Sequence, residues 1–171
     1  EHVFNTPDPS SLAYQESANL VSSYMGTYGL SSMVFALLLS FIAGKMRINR
    51  KLVHMLSLII GGAGFIYMYF ITNHVMLHIS FACIGIAWGS ILSMPYAMLA
   101  GSIDDKKMGL FMGLFNMFIV IPQIVAALGG VNWAYQTLLG KETINTMILA
   151  GICLILAGLS NLLITEKEAI R

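Results

Sequence analysis

Charge is the scarcest feature of this sequence. Only 10% of its 171 residues are Asp, Glu, Lys or Arg, whereas about 25% of an ordinary soluble domain is charged. All of these charged residues lie outside four stretches, 17–44, 52–103, 108–140 and 143–165. A soluble fold needs polar residues along the exposed side of every element, so charge-free runs of this length exclude it. The sequence therefore predicts a polytopic, all-α membrane protein, and its net charge of +1 argues against a nucleic-acid partner.

Cysteine is scarce as well, and the motifs of metal and catalytic sites are missing. The two cysteines, Cys83 and Cys153, fall inside apolar stretches, where they are more often small packing residues than disulfide partners. The sequence has no His, Cys, Asp and Glu cluster with metal-ligand spacing, no glycine-rich phosphate loop and no G-x-S-x-G elbow. We therefore expect no metal site, no cofactor and no enzymatic activity.

The four charge-free stretches are long enough for five membrane-spanning helices. A helix crosses the hydrocarbon layer of about 30 Å in about 20 residues. Stretch 52–103 would extend roughly 78 Å as one helix, so it must turn back, and the polar triplet Thr72-Asn73-His74 marks the place. Gly129-Gly130 ends another span ahead of Trp133 and Tyr135, residues typical of the membrane interface. The predicted spans are about 20–43, 52–71, 75–100, 108–129 and 143–165.

The distribution of Lys and Arg predicts how these helices are oriented. Positive residues favour cytoplasmic loops. Eight of the nine lie on one side of the predicted bundle: Lys45, Arg47, Arg50, Lys51, Lys106, Lys107, Lys167 and Arg171. We expect that side, with the tail 166–171, to be cytoplasmic, and segment 1–19 to be an extracytoplasmic loop. Because the first of five spans begins outside and the sequence starts with Glu1, we also expect at least one earlier crossing in a longer protein.

Three of the predicted spans carry neutral polar and aromatic residues that suit a binding cavity. These residues are Tyr28, Ser31, Trp88, Ser93, Tyr96, Asn116 and Gln123. Unpaired amides inside a membrane cost free energy, so Asn116 and Gln123 each need either a partner on another helix or a polar cavity. Small residues alternate with Trp88 and Tyr96 at helical spacing, which indicates either close helix packing or a cavity wall beside the aromatics.

The predicted spans contain no Asp, Glu, Lys or Arg. Ion-driven transport commonly uses intramembrane carboxylates, so a coupled proton or sodium ion is not expected to bind this segment. His54 and His78 lie near the ends of spans, where we expect solvated side chains. Spans 52–71 and 143–165 carry glycines among apolar residues, and we expect them to be packing helices.

The connection 44–51 resembles the second copy of the signature loop of the major facilitator superfamily. The residues that carry this likeness are Gly44, Arg47, Asn49, Arg50 and Lys51, and the basic loop as a whole runs from Lys45 to Lys51. A stronger likeness lies in segment 88–97, WGSILSMPYA, followed by Lys107-Met108-Gly109, Met112-Gly113, Phe115-Asn116 and Ile121-Pro122-Gln123. Together, over essentially the whole chain, they resemble the C-terminal half of sucrose- and maltose-type sugar transporters, which are related to glycoside–cation symporters.

This resemblance implies a secondary transporter that works by alternating access around a midplane site. The five spans would be helices eight to twelve of a twelve-helix fold, and the N-terminal half would be absent from this chain. The solute would be neutral, a di- or oligosaccharide, since sugars suit aromatic stacking and uncharged donors. The basic loop would anchor the orientation and act as a gate latch in an inner, cytoplasmic membrane. The alternatives are a multidrug exporter and a non-transport scaffold subunit whose polar groups join helices.

Overall fold

The structure is a computed structural model that describes Asp8 and residues 10–163. Every regular element in that part of the chain is helical. The α-helices are α1 (Leu12–Lys45), α2 (Arg50–Tyr67), α3 (Leu77–Ala100), α4 (Met108–Val125), α5 (Val131–Thr137) and α6 (Thr143–Ser160). Short 3-10 turns at Met68–Phe70, His74–Met76, Asp105–Lys107 and Asn161–Leu163 extend or precede them.

Five helical segments of the described chain are long and apolar enough to cross a membrane. They are Leu12–Lys45, Arg50–Phe70, His74–Ala100, Asp105–Thr137 and Thr143–Leu163. The prediction of an all-helical fold with five membrane-spanning helices is therefore confirmed. The predicted tail 166–171, with Lys167 and Arg171, lies outside the described residues, as do residues 1–7 and 9 of the predicted loop.

The first helix begins at Leu12 and not near residue 20, because a capping side chain fixes its start. Ser11 Oγ accepts a hydrogen bond from the backbone N–H of Tyr14 at 3.1 Å, which satisfies one of the unpaired donors of a helix N-terminus. Ahead of the cap, Ser10 donates to the Asp8 carboxylate from its N–H and its hydroxyl, and these bonds lower the pKa of Asp8 below its ordinary value. With 34 residues, α1 is about 51 Å long and exceeds the hydrocarbon layer.

Asparagine caps set the two short connections of the bundle. Asn49 Oδ1 accepts from the N–H of Leu52 at 3.0 Å and starts α2 directly after the basic loop. Asn73 Oδ1 accepts from the N–H of Val75 at 3.0 Å, at the polar triplet where the sequence predicts a turn. The short connection at Asn73 brings α3 back against α2 as an antiparallel neighbour, whereas α1, which precedes the Asn49 cap, packs mainly on α3.

The predicted break at Gly129-Gly130 is present, but an ordered helix follows it. Residues Ala126–Gly130 form a π-helical turn in which Gly129 has a φ of 112°. This left-handed conformation is favourable for glycine and costly for other residues. The chain then continues as α5, which carries Trp133 and Tyr135.

Helix α3 is central, with α1 packed on one of its faces, α2 on another, and α6 on α2. Small residues allow these close approaches. Gly61 of α2 faces Ala87 of α3, and Gly62 faces Gly151 of α6. Helix α4, like the short helix α5, has no buried residue in the described chain. Its face beside α3 is therefore the open side of the bundle.

Candidate functional site

The contact between α3 and α4 joins two of the predicted site residues. Tyr96 Oη donates a hydrogen bond to Asn116 Oδ1 at 2.7 Å. The Tyr96 ring packs edge-on against Phe115, with ring centroids 5.1 Å apart. Tyr96 is half-buried and Asn116 is exposed. The result is an uncharged donor–acceptor pair at the open side of the bundle.

Two other predicted residues form an aromatic pair between α1 and α3. The ring centroids of Tyr28 and Trp88 lie 6.4 Å apart, with 45° between the ring planes. Trp88 is 44% exposed, so much of its indole surface is open to a ligand. Trp88 and Tyr96 are eight positions apart, about two helical turns, and lie on the same side of α3. We call Tyr28, Trp88, Tyr96 and Asn116 the polar-aromatic face.

The two predicted serines already use their hydroxyl protons inside the bundle. Ser31 Oγ lies 3.0 Å from the carbonyl oxygens of Tyr28 and Ala82, and the second of these contacts joins α1 to α3. Ser93 Oγ donates to the carbonyl oxygen of Gly89 at 2.7 Å, within α3. Each hydroxyl keeps lone pairs that can accept a hydrogen bond. A ligand could therefore only donate to them.

Gln123 lies on α4 away from the α3 contact. It is exposed, and its side chain makes no hydrogen bond to any residue that the structure describes. Because Gln123 follows Asn116 by seven positions, about two turns, both amides are on the same side of α4. Gln123 thus continues the side of α4 that carries Asn116.

The glycines between the aromatic residues of α3 serve close packing, one of the two alternatives that the sequence leaves open. Gly85 contacts the backbone of α1 at Tyr28, and a Cβ atom at Gly89 would lie 3.0 Å from the carbonyl oxygen of Ser32. In contrast, Gly109 and Gly113 of α4 have no atom within 4 Å of the Cβ position. The close approach that these glycines allow is thus between α1 and α3. Trp88 and Tyr96 lie beside this contact on α3.

The model of the family described as Major Facilitator Superfamily matches residues 6–127. This chain belongs to the major facilitator superfamily. Sucrose transport protein SUT1 of Oryza sativa subsp. japonica is 33% identical over 89 residues, 51% of this chain and 16% of that protein. Sucrose transport protein SUT2 of Oryza sativa subsp. indica is 38% identical over 55 residues, 31% of this chain and 11% of that protein. No solved structure matches the chain.

The resemblance predicted from the residues, to the superfamily and to its sucrose-transporting members, is thus confirmed. The matches cover only a small part of the length of these relatives. The superfamily consists of multi-pass membrane proteins, in agreement with the five apolar helices.

In this superfamily chain, two cations of the predicted signature loop anchor the ends of other helices. Arg50 Nη1 donates to the carbonyl oxygen of Ala97 at 2.9 Å, in the last turn of α3. Lys51 Nζ donates to the carbonyl oxygen of Leu162 at 3.0 Å, in the turn that follows α6. Helix C-termini carry unpaired carbonyls and partial negative charge, which favour a cation there. Arg50 and Lys51 therefore hold three helix ends together.

The remaining loop residues lie at the surface of the described bundle. Lys45 Nζ lies 4.1 Å from the centroid of the Phe41 ring, a cation–π contact within α1. Gly44 and Arg47 are exposed, and Gly44 has open space around its Cβ position. Lys45 and Arg47 thus differ from Arg50 and Lys51, because the structure shows neither of them bound to the end of another described helix.

The expectation of a solvated His54 is wrong. His54 is 6% exposed, and its Nδ1 lies 2.8 Å from the hydroxyl of Ser90, which is 0% exposed. The small residues between α2 and α3 bring the two backbones close enough to enclose this pair. No local signal in the sequence indicates it, because the partners are 36 positions apart.

Histidines also join α1 to α3 at the opposite end of the bundle. Thr27 Oγ1 lies 2.6 Å from Nδ1 of His78, and Tyr24 Oη lies 3.3 Å from Nδ1 of His74. The ring of Tyr24, which is 2% exposed, also packs edge-on against His78 with centroids 4.7 Å apart. A sequence signal for these contacts is the helical spacing on both sides. His74 and His78 are four positions apart, and their partners Tyr24 and Thr27 on α1 are three positions apart.

The His54–Ser90 pair gives a stability prediction. Replacing Ser90 by alanine leaves the buried Nδ1 of His54 without its partner, and we expect a cost of about 1–3 kcal/mol. Ser80→Ala is the matched control, because the Ser80 hydroxyl on the same helix is buried without a partner among the described residues. Thermal unfolding of the purified protein in detergent should separate the two variants. Equal melting temperatures would show that the His54–Ser90 bond does not stabilise the bundle.

Proposed function

We propose that this chain forms part of a secondary transporter that moves a neutral solute, a di- or oligosaccharide, by alternating access. One observation carries the proposal. Tyr96 and Asn116 form an exposed, uncharged donor–acceptor pair about two turns from the open indole of Trp88. Polar groups of this kind are costly against lipid, so they favour a water-filled cavity.

The chemistry of this face suits a sugar. A sugar ring offers hydroxyl groups, which both donate and accept hydrogen bonds, and apolar C–H faces, which stack on aromatic rings. Trp88 and Tyr28 supply the stacking surface, and Tyr96, Asn116 and Gln123 supply neutral polar groups. No Asp, Glu, Lys or Arg of the described residues lies among them. The similarity to sucrose transport proteins supports the same solute class.

The proposal includes a place in the membrane and partners. The loop 44–51 would face the cytoplasm and the N-terminal segment the outside of a cytoplasmic (inner) membrane, because positive residues collect on the cytoplasmic side. The N-terminal half of the same transporter would close the cavity over the polar-aromatic face. Lys45 and Arg47 would meet that half as a gate latch, while Arg50 and Lys51 hold the helix ends. A coupling ion would bind outside this segment.

Uptake of radiolabelled sucrose and maltose into proteoliposomes tests the proposal, with the protein at its full natural length. We expect Asn116→Ala and Gln123→Ala each to raise the KM about three- to tenfold, because each removes one neutral hydrogen bond. Gly113→Ala is the control on the same helix, since its Cβ position is in open space. Unchanged KM values in both amide variants would remove these residues from the site.

The alternatives predict other results. A multidrug exporter would expel amphipathic dyes and ignore both sugars, since it would use the aromatic residues without the amides. A scaffold subunit would transport nothing, and a cysteine placed at Ser93 would not react with water-soluble thiol reagents. A transporter cavity should leave that cysteine reactive and let a transported sugar protect it.

A further inference from the structure

The Tyr96–Asn116 bond has a different setting from the His54–Ser90 bond, the buried side-chain hydrogen bond between α2 and α3. The His54–Ser90 bond is enclosed between α2 and α3, whereas Tyr96 and Asn116 meet at the open side of the bundle. Helix α4 has no buried residue, and the contacts described at this level are the hydrogen bond and the Tyr96–Phe115 ring pair. A small displacement of α4 would therefore separate the hydroxyl from the amide without unpacking a core.

The Tyr96–Asn116 pair also restricts which chemical group of a solute can be inserted between the two side chains. In the closed bond, the donor of Tyr96 and the acceptor of Asn116 satisfy each other. With the amide oxygen kept toward Tyr96, as in the closed bond, a group inserted between them accepts from the tyrosine and donates to the amide oxygen. A hydroxyl does both. An ether oxygen, a fluorine or a carboxylate only accepts, and an ammonium group only donates.

We infer that one hydroxyl group of the solute inserts into the Tyr96–Asn116 hydrogen bond, and that this pair is a specificity determinant for a hydroxyl at a single position of the sugar. The inference rests on the proposed function and narrows it. Tyr96 Oη and Asn116 Oδ1 would move from 2.7 Å to about 4.5 Å apart, since each O–H···O bond is about 2.7–2.8 Å long. Binding thereby moves α4 away from α3.

The aromatic pair indicates where the rest of the sugar lies. Trp88 is eight residues before Tyr96, about 12 Å along α3, a separation comparable with the length of a disaccharide. One sugar unit stacks on Trp88, and the other presents the inserted hydroxyl. The determinant therefore belongs to one ring of the disaccharide, and hydroxyls of the ring on Trp88 contribute nothing to it.

Competition by modified sugars tests this inference in the full-length transporter. Sucrose and maltose derivatives, each with one hydroxyl replaced by hydrogen or by fluorine, compete with the radiolabelled parent sugar. We expect one position at which both derivatives bind about tenfold more weakly, because fluorine accepts but cannot donate. In the double variant Tyr96→Phe with Asn116→Leu, the derivatives modified at that position should bind about as tightly as the parent sugar. The affinities of derivatives modified at other positions, relative to the parent sugar, should be the same as in the wild type.

Each outcome has a separate meaning. If neither sugar is taken up, the proposed function fails, and this inference fails with it. If a sugar is transported but no position loses affinity with both replacements, the inserted hydroxyl is excluded and the proposed function stands. The inserted hydroxyl is also excluded if derivatives modified at the sensitive position still bind about tenfold more weakly than the parent sugar in the double variant. A wild-type series in which no position loses affinity with both replacements refutes the inference by itself, so this part of the test does not depend on the folding of the double variant.

Discussion

Replacing either Gly62 or Gly151 by alanine is expected to lower the thermal stability of this chain strongly. An added Cβ atom at Gly62 would lie 2.6 Å from the carbonyl oxygen of Gly151, and one at Gly151 would lie 2.7 Å from the carbonyl oxygen of Gly62. Both obstructing atoms belong to the backbone, so no side chain can rotate away. Helices α2 and α6 must separate, at a cost of about 1–3 kcal/mol.

The reciprocal geometry makes the double variant informative. Once α2 and α6 have moved apart to admit one methyl group, the second methyl group meets less resistance. We therefore expect the loss of stability in Gly62→Ala with Gly151→Ala to be smaller than the sum of the single losses. Scanning calorimetry or thermal-shift measurements of the purified protein would give both quantities. Full additivity would show that the two glycines do not face each other.

Gly109→Ala and Gly113→Ala are the matched controls. Both glycines lie in a membrane-spanning helix, and neither has an atom within 4 Å of its Cβ position. Alanine is a better helix former than glycine by about 1 kcal/mol, so these variants should melt at or slightly above the wild-type temperature. If the Gly62 and Gly151 variants behaved like these controls, the close packing of α2 on α6 would be wrong.

The membrane-spanning helices could be predicted because the residues that determine them lie within or beside each helix in the sequence. Charge-free runs mark the helices, Asn73 marks the turn and Gly129 marks the break, each within a few residues of its effect. The start of α1 at Leu12 lies ahead of the predicted span 20–43 for a related reason. Hydropathy reports the part of a helix inside the membrane, whereas the Ser11 cap sets where the helix begins.

The contacts between helices could not be predicted in the same way. Periodicity identified polar faces on α1, α3 and α4, but it does not indicate which face meets which helix. Ser31 was expected in a cavity, yet its hydroxyl bonds the carbonyl oxygen of Ala82, 51 positions away. The Tyr96–Asn116 bond likewise depends on how α4 lies against α3. Such pairings are set by packing of the whole bundle, in which small residues decide the closest approach.

The second large effect is expected at Gly85, where the packing of α1 on α3 supports the polar-aromatic face. A Cβ atom there would collide with the Ser31 hydroxyl and with the carbonyl oxygen of Tyr28. Gly85→Ala should therefore displace α1 from α3, at about 3 kcal/mol or more. The same displacement separates Tyr28 from Trp88, whose rings are now 6.4 Å apart. We expect the melting temperature to fall and, under the proposed function, the uptake of sugar by the full-length protein to fall with it.

A graded series identifies the cause of that loss. Gly89→Ala should have a smaller effect, because its Cβ atom would lie 3.0 Å from the nearest oxygen, and Gly29→Ala none, because its Cβ position is open. Adding Ser31→Ala to Gly85→Ala removes the side-chain collision but leaves the one with the Tyr28 backbone, so it should not restore uptake. If adding Ser31→Ala restored uptake fully, the loss caused by Gly85→Ala would come from the collision with the serine hydroxyl alone. The backbone contact between α1 and α3 would then have no part in holding Tyr28 beside Trp88.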